Sequence, residues 1–182
     1  MIPLDPNAPQ PVRFVAIDTE TTGSSRLDRV IEFAAVFFQD GVEVGRLVRR
    51  INPCGHPISP MATRVHGIRA RDLVGKPSFA QLAGTITRCL EGKVVVAHNL
   101  AYDKRMLRQE FERLGLQWPT TLAEVCTLKR CKRELHSLSD HRLPTVCRAL
   151  DITLERHHAA DADARACGLL MVALEERGEV AA

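Results

Sequence analysis

The sequence predicts an α/β fold in which helices flank a mixed β-sheet. Three consecutive segments, residues 12–18, 29–38 and 42–51, are apolar and strand-like, and a tight turn at 39–41 joins the last two. They predict an antiparallel meander whose first strand, an almost uninterrupted apolar run, is buried on both faces. A short apolar strand at 94–97 precedes an amphipathic segment at 100–114. This alternation of strand and helix is typical of α/β proteins.

Capping and turn residues locate the other helices and loops. Residues 52–68 contain three prolines and two glycines, which predicts a long loop. Ser78 is the expected N-cap of a helix that ends near residue 90. Further helices are predicted over 139–150 and over 160–176, the latter ending at Gly178. A mixed segment without an assigned structure follows Pro119.

Length and composition indicate one domain with a full hydrophobic core. The chain has 182 residues, of which 45% are hydrophobic and 26% charged. We expect residues 1–11 to form a flexible N-terminal arm, residues 12–177 the folded domain and residues 178–182 a short tail. The net charge of +3 is compatible with a nucleic-acid partner but does not by itself indicate one.

Three further observations predict a cytoplasmic protein without a membrane partner. No apolar run is long enough for a membrane span. The N-terminal segment contains four prolines and lacks the apolar core of a signal peptide. The six cysteines include no CxxC pair, which favours reduced thiols.

Four carboxylates in three separate segments are expected at inward-facing positions. Asp18 and Glu20 end the first strand and, being two residues apart, share one face. Asp103 lies on the apolar stripe of the 100–114 helix and follows the end of a strand. Asp163 lies on the apolar stripe of the last helix, whereas Asp161 is expected on its solvent side.

The negative charge of four inward-facing carboxylates must be neutralised or balanced. An isolated ionised carboxylate is strongly disfavoured in apolar surroundings, and neighbouring carboxylates repel one another. They could be protonated, paired with Lys or Arg, or gathered around cations. A single acid of this kind would be explained by a cap or a surface charge, but the coincidence in three segments favours cations. Mg²⁺ and Mn²⁺ prefer oxygen ligands, and four acids suit a pair of such ions.

Three motifs carry a resemblance to a known family. They are FVAIDTETTG at 14–23, VVAHNLAYDKRML at 95–107 and HHAADADARA at 157–166, with a weaker fourth, HGI, at 66–68. In this order the chain resembles the DEDDh group of 3′–5′ exonucleases, the family of the DNA polymerase III epsilon subunit, ribonuclease T and oligoribonuclease. The resemblance covers residues 12–175 and identifies 12–177 as an exonuclease domain. It implies an RNase H-like core with a five-stranded mixed sheet flanked by helices.

The resemblance also implies a two-metal site. Its cofactors would be two divalent cations, Mg²⁺ or Mn²⁺, which would neutralise the charge of the inward-facing acids and assist phosphodiester hydrolysis. The residues that it identifies as metal ligands and as part of the catalytic set are Asp18, Glu20, Asp103 and Asp163.

A catalytic histidine is identified by its spacing from the last acid. The family places this histidine five residues before that acid, which selects His158 as the partner of Asp163. The same offset from His157 ends at Ala162, which cannot bind a metal, so neither His157 nor Asp161 is assigned a role. His158 would accept the proton of the attacking water, and an ordinary pKa near 6.5 suits a base at neutral pH.

The remaining motif residues are expected to bind the 3′-terminal nucleotide. Aromatic residues make up only 4% of the chain, which favours a short site of two or three nucleotides over an extended stacking surface. Basic residues cluster at 104–108 and 129–133, and either a solvated face or phosphate contacts would explain them. The candidate substrate-binding residues are Thr21, Thr22, Gly23, His66, Asn99 and Tyr102.

We therefore predict a 3′–5′ exonuclease that releases nucleoside 5′-monophosphates from the 3′ end of single-stranded or frayed nucleic acid. DNA is favoured over RNA, in a proofreading-type or stand-alone repair role. One alternative is an exoribonuclease that trims RNA 3′ ends, like ribonuclease T or oligoribonuclease. Another is a catalytically inactive nucleic-acid-binding or interaction module. The chain ends soon after the third motif, so we expect an enzyme that acts alone or docks on a DNA polymerase subunit through its folded surface. A homodimer is a further candidate assembly.

Overall fold

A five-stranded mixed sheet forms the centre of the protein in a computed structural model that describes residues 13–180. The strands are β1 (Arg13–Thr21), β2 (Val30–Gln39), β3 (Val42–Arg50), β4 (Val94–Ala97) and β5 (Ala123–Cys126), in the order β3-β2-β1-β4-β5. The first three pair antiparallel, whereas β4 pairs parallel with β1 and β5 parallel with β4. The predicted meander and mixed sheet are confirmed. The proposed arm at 1–11 lies outside the described residues.

Six α-helices and one 3₁₀ turn surround this sheet in the described part of the chain. Three of the predicted helices begin where expected, at residues 79, 100 and 160. Ser78 caps the first of them, its hydroxyl accepting a hydrogen bond from the backbone N–H of Gln81. Within residues 13–180, no helix is both long and apolar enough to cross a membrane. The helices are α1 (Pro60–His66), α2 (Phe79–Leu90), α3 (Leu100–Arg113), α4 (Thr127–Glu134), α5 (Leu143–Ala149) and α6 (Ala160–Val180), with the 3₁₀ turn at Ala70–Leu73.

Several expected boundaries were wrong. The predicted loop at 52–68 contains α1, which Ser59 caps and in which no residue is buried, so no apolar periodicity marks it. The unassigned segment after Pro119 contains β5 and α4, both short. The helix expected from 139 begins only at Leu143. Finally, α6 continues through Gly178 to Val180, because one glycine costs a helix only about 1 kcal/mol and does not by itself end it.

The central strand β1 separates two apolar layers. Val15 and Ile17 pack in a cluster with buried side chains of α2 and α3. Phe14 and Ala16, on the other face, pack in a cluster with α6. Helices α4 and α5 pack against a second face of α6. The last helix is therefore enclosed between the sheet and two shorter helices, and α3 lies on the opposite side of the sheet.

Helix α6 approaches the sheet closely at Gly168. A β-carbon at this position would overlap the ring of Phe38. Phe38 cannot retreat freely, because it stacks on Phe14 with ring centroids 4.9 Å apart. The absence of a side chain at Gly168 thus sets how near α6 lies to β1 and β2.

A buried ion pair that the sequence analysis did not identify fixes α3 to the start of β2. Glu110 accepts hydrogen bonds from Arg29 Nε at 2.8 Å and Arg29 Nη2 at 2.9 Å, and a third from the backbone N–H of Val30 at 3.0 Å. Such a bidentate arrangement is among the strongest pairings of side chains. It holds the helix that carries Asp103 in a fixed position on the sheet.

Candidate active site

Three of the four predicted acids meet where β1 reaches the first turn of α6. Oxygens of Asp18, Glu20 and Asp163 all lie within 4.8 Å of one another. Alternation along β1 directs Asp18 and Glu20 to the face covered by α6, and Asp163 lies in the first turn of that helix. Glu20 is 8% exposed and Asp163 5% exposed. The residues thus form a compact, largely buried group of carboxylates.

The fourth acid, Asp103, reaches the same region from the other layer of the fold. It lies in the first turn of α3, is buried, and accepts two hydrogen bonds from Thr19. The backbone N–H of Thr19 is 3.0 Å and its hydroxyl 2.8 Å from Asp103 Oδ1. Thr19 was not predicted, but as the residue between Asp18 and Glu20 it must face the α3 layer. Asp103 is thereby oriented beside the group of three.

Burial and mutual repulsion strongly perturb these acids. Burial, followed by the charges of Asp103, Glu20 and Asp163, raises the pKa of Asp18 well above its usual range. Burial, with the charge of Asp163 next, raises the pKa of Glu20 to about 8. Burial raises the pKa of Asp103 to about 7. These carboxylates therefore resist ionisation together unless positive charge is supplied.

The chemistry of this donor set fits a divalent cation. The ligand atoms are carboxylate oxygens, as Mg²⁺ and Mn²⁺ prefer. Among residues 13–180, no Lys or Arg forms an ion pair with any of the four acids, and the one partner of this kind is His157 beside Asp163. The alternative explanation, pairing with Lys or Arg, is thus excluded for the described part of the chain.

A fifth acid, Glu32, lies next to the group and was not predicted. It is directly opposite Glu20 in the β1–β2 pairing and is 7% exposed. Its charge contributes to the raised pKa of Glu20. Unlike the other acids, it has a basic partner, Arg50 Nε at 3.0 Å. A lone acid within the apolar strand at 30–38 was the available signal for it.

Both histidines of the third motif contact Asp163, in different ways. His157 Nδ1 lies 3.0 Å from Asp163 Oδ1, whereas His158 donates its backbone N–H to Asp163 Oδ2 at 2.9 Å. The two exposed rings stack with centroids 3.7 Å apart, and His158 has a left-handed φ of 63°. The ring that touches the acid is therefore His157, which the spacing rule did not select. The catalytic role of His158 stays a prediction.

A cleft of about 890 Å³ opens over Asp18, Asp163 and the two histidines, and Lys132 and Arg142 also line it. We call it the acid cleft. Its lining includes His98, which was not predicted. His98 Nδ1 is 3.0 Å from the Thr127 hydroxyl, and Nε2 is 2.9 Å from the carbonyl oxygen of His141. These contacts connect the end of β4 to α4 and to the loop before α5.

A smaller pocket of about 230 Å³ lies on the other side of Glu20, between the end of β1 and α1. We call it the α1 pocket. It is lined by four of the predicted substrate-binding residues, Thr21, Gly23, His66 and Tyr102. The Tyr102 hydroxyl is 2.7 Å from the Thr21 hydroxyl, and His66 Nε2 is 3.2 Å from the Thr21 carbonyl oxygen. The structure thus brings these four side chains to the edge of the acidic group.

The other two substrate-binding candidates do not line this pocket. Thr22 is fully buried, and its hydroxyl donates to Asp28 and accepts from the backbone N–H of Arg29. Those bonds give it a role in holding the loop after β1. Asn99 is exposed, with a left-handed φ of 75°, and immediately precedes α3 without a side-chain cap.

Without divalent cations, stability is expected to fall as the pH rises from about 5 to 8. A carboxyl whose pKa is raised by folding holds its proton more tightly in the folded state. Its contribution is present below the unfolded pKa near 4 and is lost as the pH rises toward the folded pKa, about 8 for Glu20 and about 7 for Asp103. We expect the Tm in EDTA to fall by roughly 5–10 °C over this interval in a thermal melt.

Added Mg²⁺ should raise the Tm more at pH 8 than at pH 5, because the cation binds the ionised carboxylates. The variant Glu20→Gln should show a shallower decline in EDTA, and Glu112→Gln, at an exposed position on α3, should match the parent chain. A Tm in EDTA that is constant or rises between pH 5 and 8 would contradict the inferred repulsion among the acids.

Sequence and structural comparisons agree on one class of protein. The profile of the family RNase_T, described as exonuclease, matches residues 15–171. The DNA polymerase III subunit epsilon of Treponema pallidum is 33% identical over 159 residues, which cover 86% of this chain and 73% of that protein. A DNA polymerase III PolC-type protein of Oceanobacillus iheyensis is 35% identical over 165 residues, 90% of this chain. This chain spans only 11% of that polymerase.

Solved structures support the same fold. E. coli exonuclease I in complex with a dT13 oligonucleotide superposes with a TM-score of 0.81 at 21% identity, covering 93% of this chain and 42% of that one. The RNase H-like fold predicted from the sequence is thereby confirmed. The resemblance to the exonucleases is confirmed by the family profile.

Proposed function

Because the chain belongs to the RNase_T exonuclease family, we propose that it removes nucleoside 5′-monophosphates from the 3′ end of DNA. The observation that carries this proposal is the group formed by Asp18, Glu20 and Asp163, whose oxygens lie within 4.8 Å and which lack a Lys or Arg partner in the described chain. Such a site suits hydrolysis of a phosphodiester, because bound cations stabilise the charge that develops on both the attacking and the leaving oxygen.

Two divalent cations, Mg²⁺ or Mn²⁺, are the proposed cofactors. Asp18, Glu20 and Asp163 would hold one, and Asp18 with Asp103 would hold the other. The all-oxygen donor set and the raised pKa values of Asp18, Glu20 and Asp103 support this assignment. When bound, such ions activate water and stabilise the charge of the leaving oxygen.

One histidine would accept the proton of the attacking water, and both would orient Asp163, a proposed metal ligand. His158 accepts the proton of the attacking water in this proposal. Partial burial and the neighbouring His157 lower the pKa of His158, which keeps its ring neutral and able to accept a proton at neutral pH. Asp163 is held toward the acid cleft by the His157 ring and by the backbone N–H of His158.

The two pockets on either side of the acids suggest how the strand lies. The α1 pocket would receive the terminal nucleotide, whose base would contact the exposed apolar side chains of Met61 and Val65. The larger acid cleft would receive the preceding nucleotides, with Lys132 and Arg142 beside their phosphates. This arrangement supports release of one nucleotide at a time.

DNA is the proposed substrate, because the relatives are named as DNA polymerase III proteins and the structural neighbour was solved with a DNA oligonucleotide. A polymerase subunit is the proposed partner on the same grounds. A cytoplasmic location is proposed because all six cysteines are free. The homodimer stays a prediction.

A substrate panel tests the proposed function. Single-stranded DNA, a duplex with a 3′-terminal mismatch and a short RNA, each labelled at the 5′ end, are incubated with Mg²⁺. We expect stepwise shortening from the 3′ end, release of 5′-monophosphates, loss of activity in EDTA, and a kcat/KM for DNA about tenfold or more above that for RNA. Internal cleavage, shortening from the 5′ end or activity in EDTA would refute the proposal, and a preference for RNA would favour the exoribonuclease.

A further inference from the structure

A basic groove of about 470 Å³ lies on the outer side of α3, outside the acid cleft and the α1 pocket. We propose that it binds the phosphodiester backbone of the template strand where that strand continues, unpaired, past a recessed 3′ end. This inference rests on the proposed 3′–5′ DNA exonuclease and names the form of DNA that the same site prefers. We call it the α3 groove; its lining residues are Arg26, Ala101, Lys104, Arg105, Arg108, Gln109 and Glu112.

The charges of the groove match a polyanion. Four basic side chains and one acidic side chain line it. Arg26 has no side-chain hydrogen bond or ion pair with the rest of the described chain, and it is exposed. Arg105 donates to the carbonyl oxygen of Ser24 at 3.1 Å and lies over the Tyr102 ring. Arg108 has a 3.4 Å contact with Glu112, and both side chains are more than half exposed. Such guanidinium groups remain available for phosphate oxygens.

The position of the groove identifies which nucleotides reach it. The acids lie between the acid cleft, which Asp18 lines, and the α1 pocket, which Glu20 lines. A DNA strand that crosses the acids and has its last nucleotide in the α1 pocket would have its 3′ terminus in that pocket. Ser24 lines that pocket, and its carbonyl oxygen accepts the hydrogen bond from Arg105, which lines the α3 groove. The α3 groove therefore begins beyond the 3′ terminus, where only the opposite strand of a duplex can extend.

Three DNA substrates that share one 3′ strand test this inference. They are the single strand, a blunt duplex and a duplex whose template has a 5′ overhang. The double variant Arg26→Ala/Arg108→Ala is expected to lower kcat/KM on the overhang duplex about tenfold and to reduce its salt dependence by a log–log slope of about 1.4 for two lost phosphate contacts. The other two substrates should change by less than about twofold, because they place no nucleotide in the groove. The matched control is Arg71→Ala/Arg88→Ala, which removes two exposed arginines elsewhere.

The other outcomes are distinguishable from failure of the proposed function. An equal loss on the single strand would overturn the inference, since the groove would then hold the strand being shortened. An unchanged kcat/KM on the overhang duplex would also overturn it. If the parent chain hydrolyses none of these DNAs, the proposed function fails, and fluorescence anisotropy with the same DNAs decides the role of the groove. Tighter binding of the overhang duplex that the double variant loses supports the inference, and equal affinity for overhang and blunt duplexes overturns it.

Discussion

Replacing Asp18 by asparagine is expected to lower kcat by about 10³-fold or more, the scale of losing a major electrostatic group from an active site. The same change should raise the Tm in EDTA. The pKa of Asp18 is raised by burial and by four neighbouring acids, so a neutral amide of the same shape removes unfavourable charge. The measurements are nucleotide release with Mg²⁺ and thermal melts with and without the cation. Activity and cation-free stability should move in opposite directions.

Asp161→Asn provides the matched control for this prediction. Asp161 is two residues from Asp163 on the same helix, but it lies 3.8 Å from Arg156 and outside the acidic group. We expect activity within about threefold of the parent and an unchanged Tm in EDTA, as for an ordinary surface pair. An Asp18→Asn variant that keeps its rate would remove the basis for the proposed cation site. A loss of both rate and stability would indicate simple unfolding.

His158→Ala is expected to lower kcat by about 10²- to 10⁴-fold, because no other group would accept the proton of the attacking water. His157→Ala should lower kcat by about tenfold or less, because the His157 ring contacts only one oxygen of Asp163, Oδ1, in the structure. Both variants should keep the Tm increase on adding Mg²⁺, which reports that the cations still bind.

The pH dependence of kcat separates the roles of the two histidines. A wild-type rate that falls at acidic pH reports the protonation of the base. That acidic limb should persist in His157→Ala and disappear from the residual rate of His158→Ala. The reverse result would assign the base to His157, the ring that the structure places against Asp163.

The fold was predictable where burial leaves a pattern in the sequence. The meander, α2 and α3 each bury a continuous or periodic set of side chains, and their positions were predicted closely. Helix α1 buries none of its residues, so its sequence carries a proline-rich loop signal instead. Strand β5 has four residues and α4 has eight, so neither is long enough to show a recognisable hydrophobic period in the sequence. The predictions that failed therefore concern exposed or short elements, whereas those for the elements of the core were close.

The site was predictable in its acids but not in their partners. Asp18, Glu20, Asp103 and Asp163 each lie at a position that local spacing marks as inward-facing. The bonds from Thr19 to Asp103 join residues 84 apart in the sequence, and no local spacing reports them. Contacts of this range depend on how the layers pack.

The adjacent histidines show a second limit of spacing rules. A spacing rule chooses between His157 and His158 by a single residue, whereas their contacts depend on backbone conformation. The left-handed φ at His158 directs its N–H to Asp163 and leaves the neighbouring ring against the same carboxylate. Geometry and spacing thus select different rings, which is why both variants are needed.

The close approach of α6 at Gly168 ties catalytic geometry to a residue that touches no substrate. A side chain there would lift the helix that carries Asp163, and the distance between ligands from the two halves of the molecule would grow while every acid remained intact. Natural variants that lose this glycine are therefore expected to carry a smaller residue at position 38. A random-mutagenesis screen for inactive enzymes should recover substitutions at 168 as readily as changes in the acids themselves.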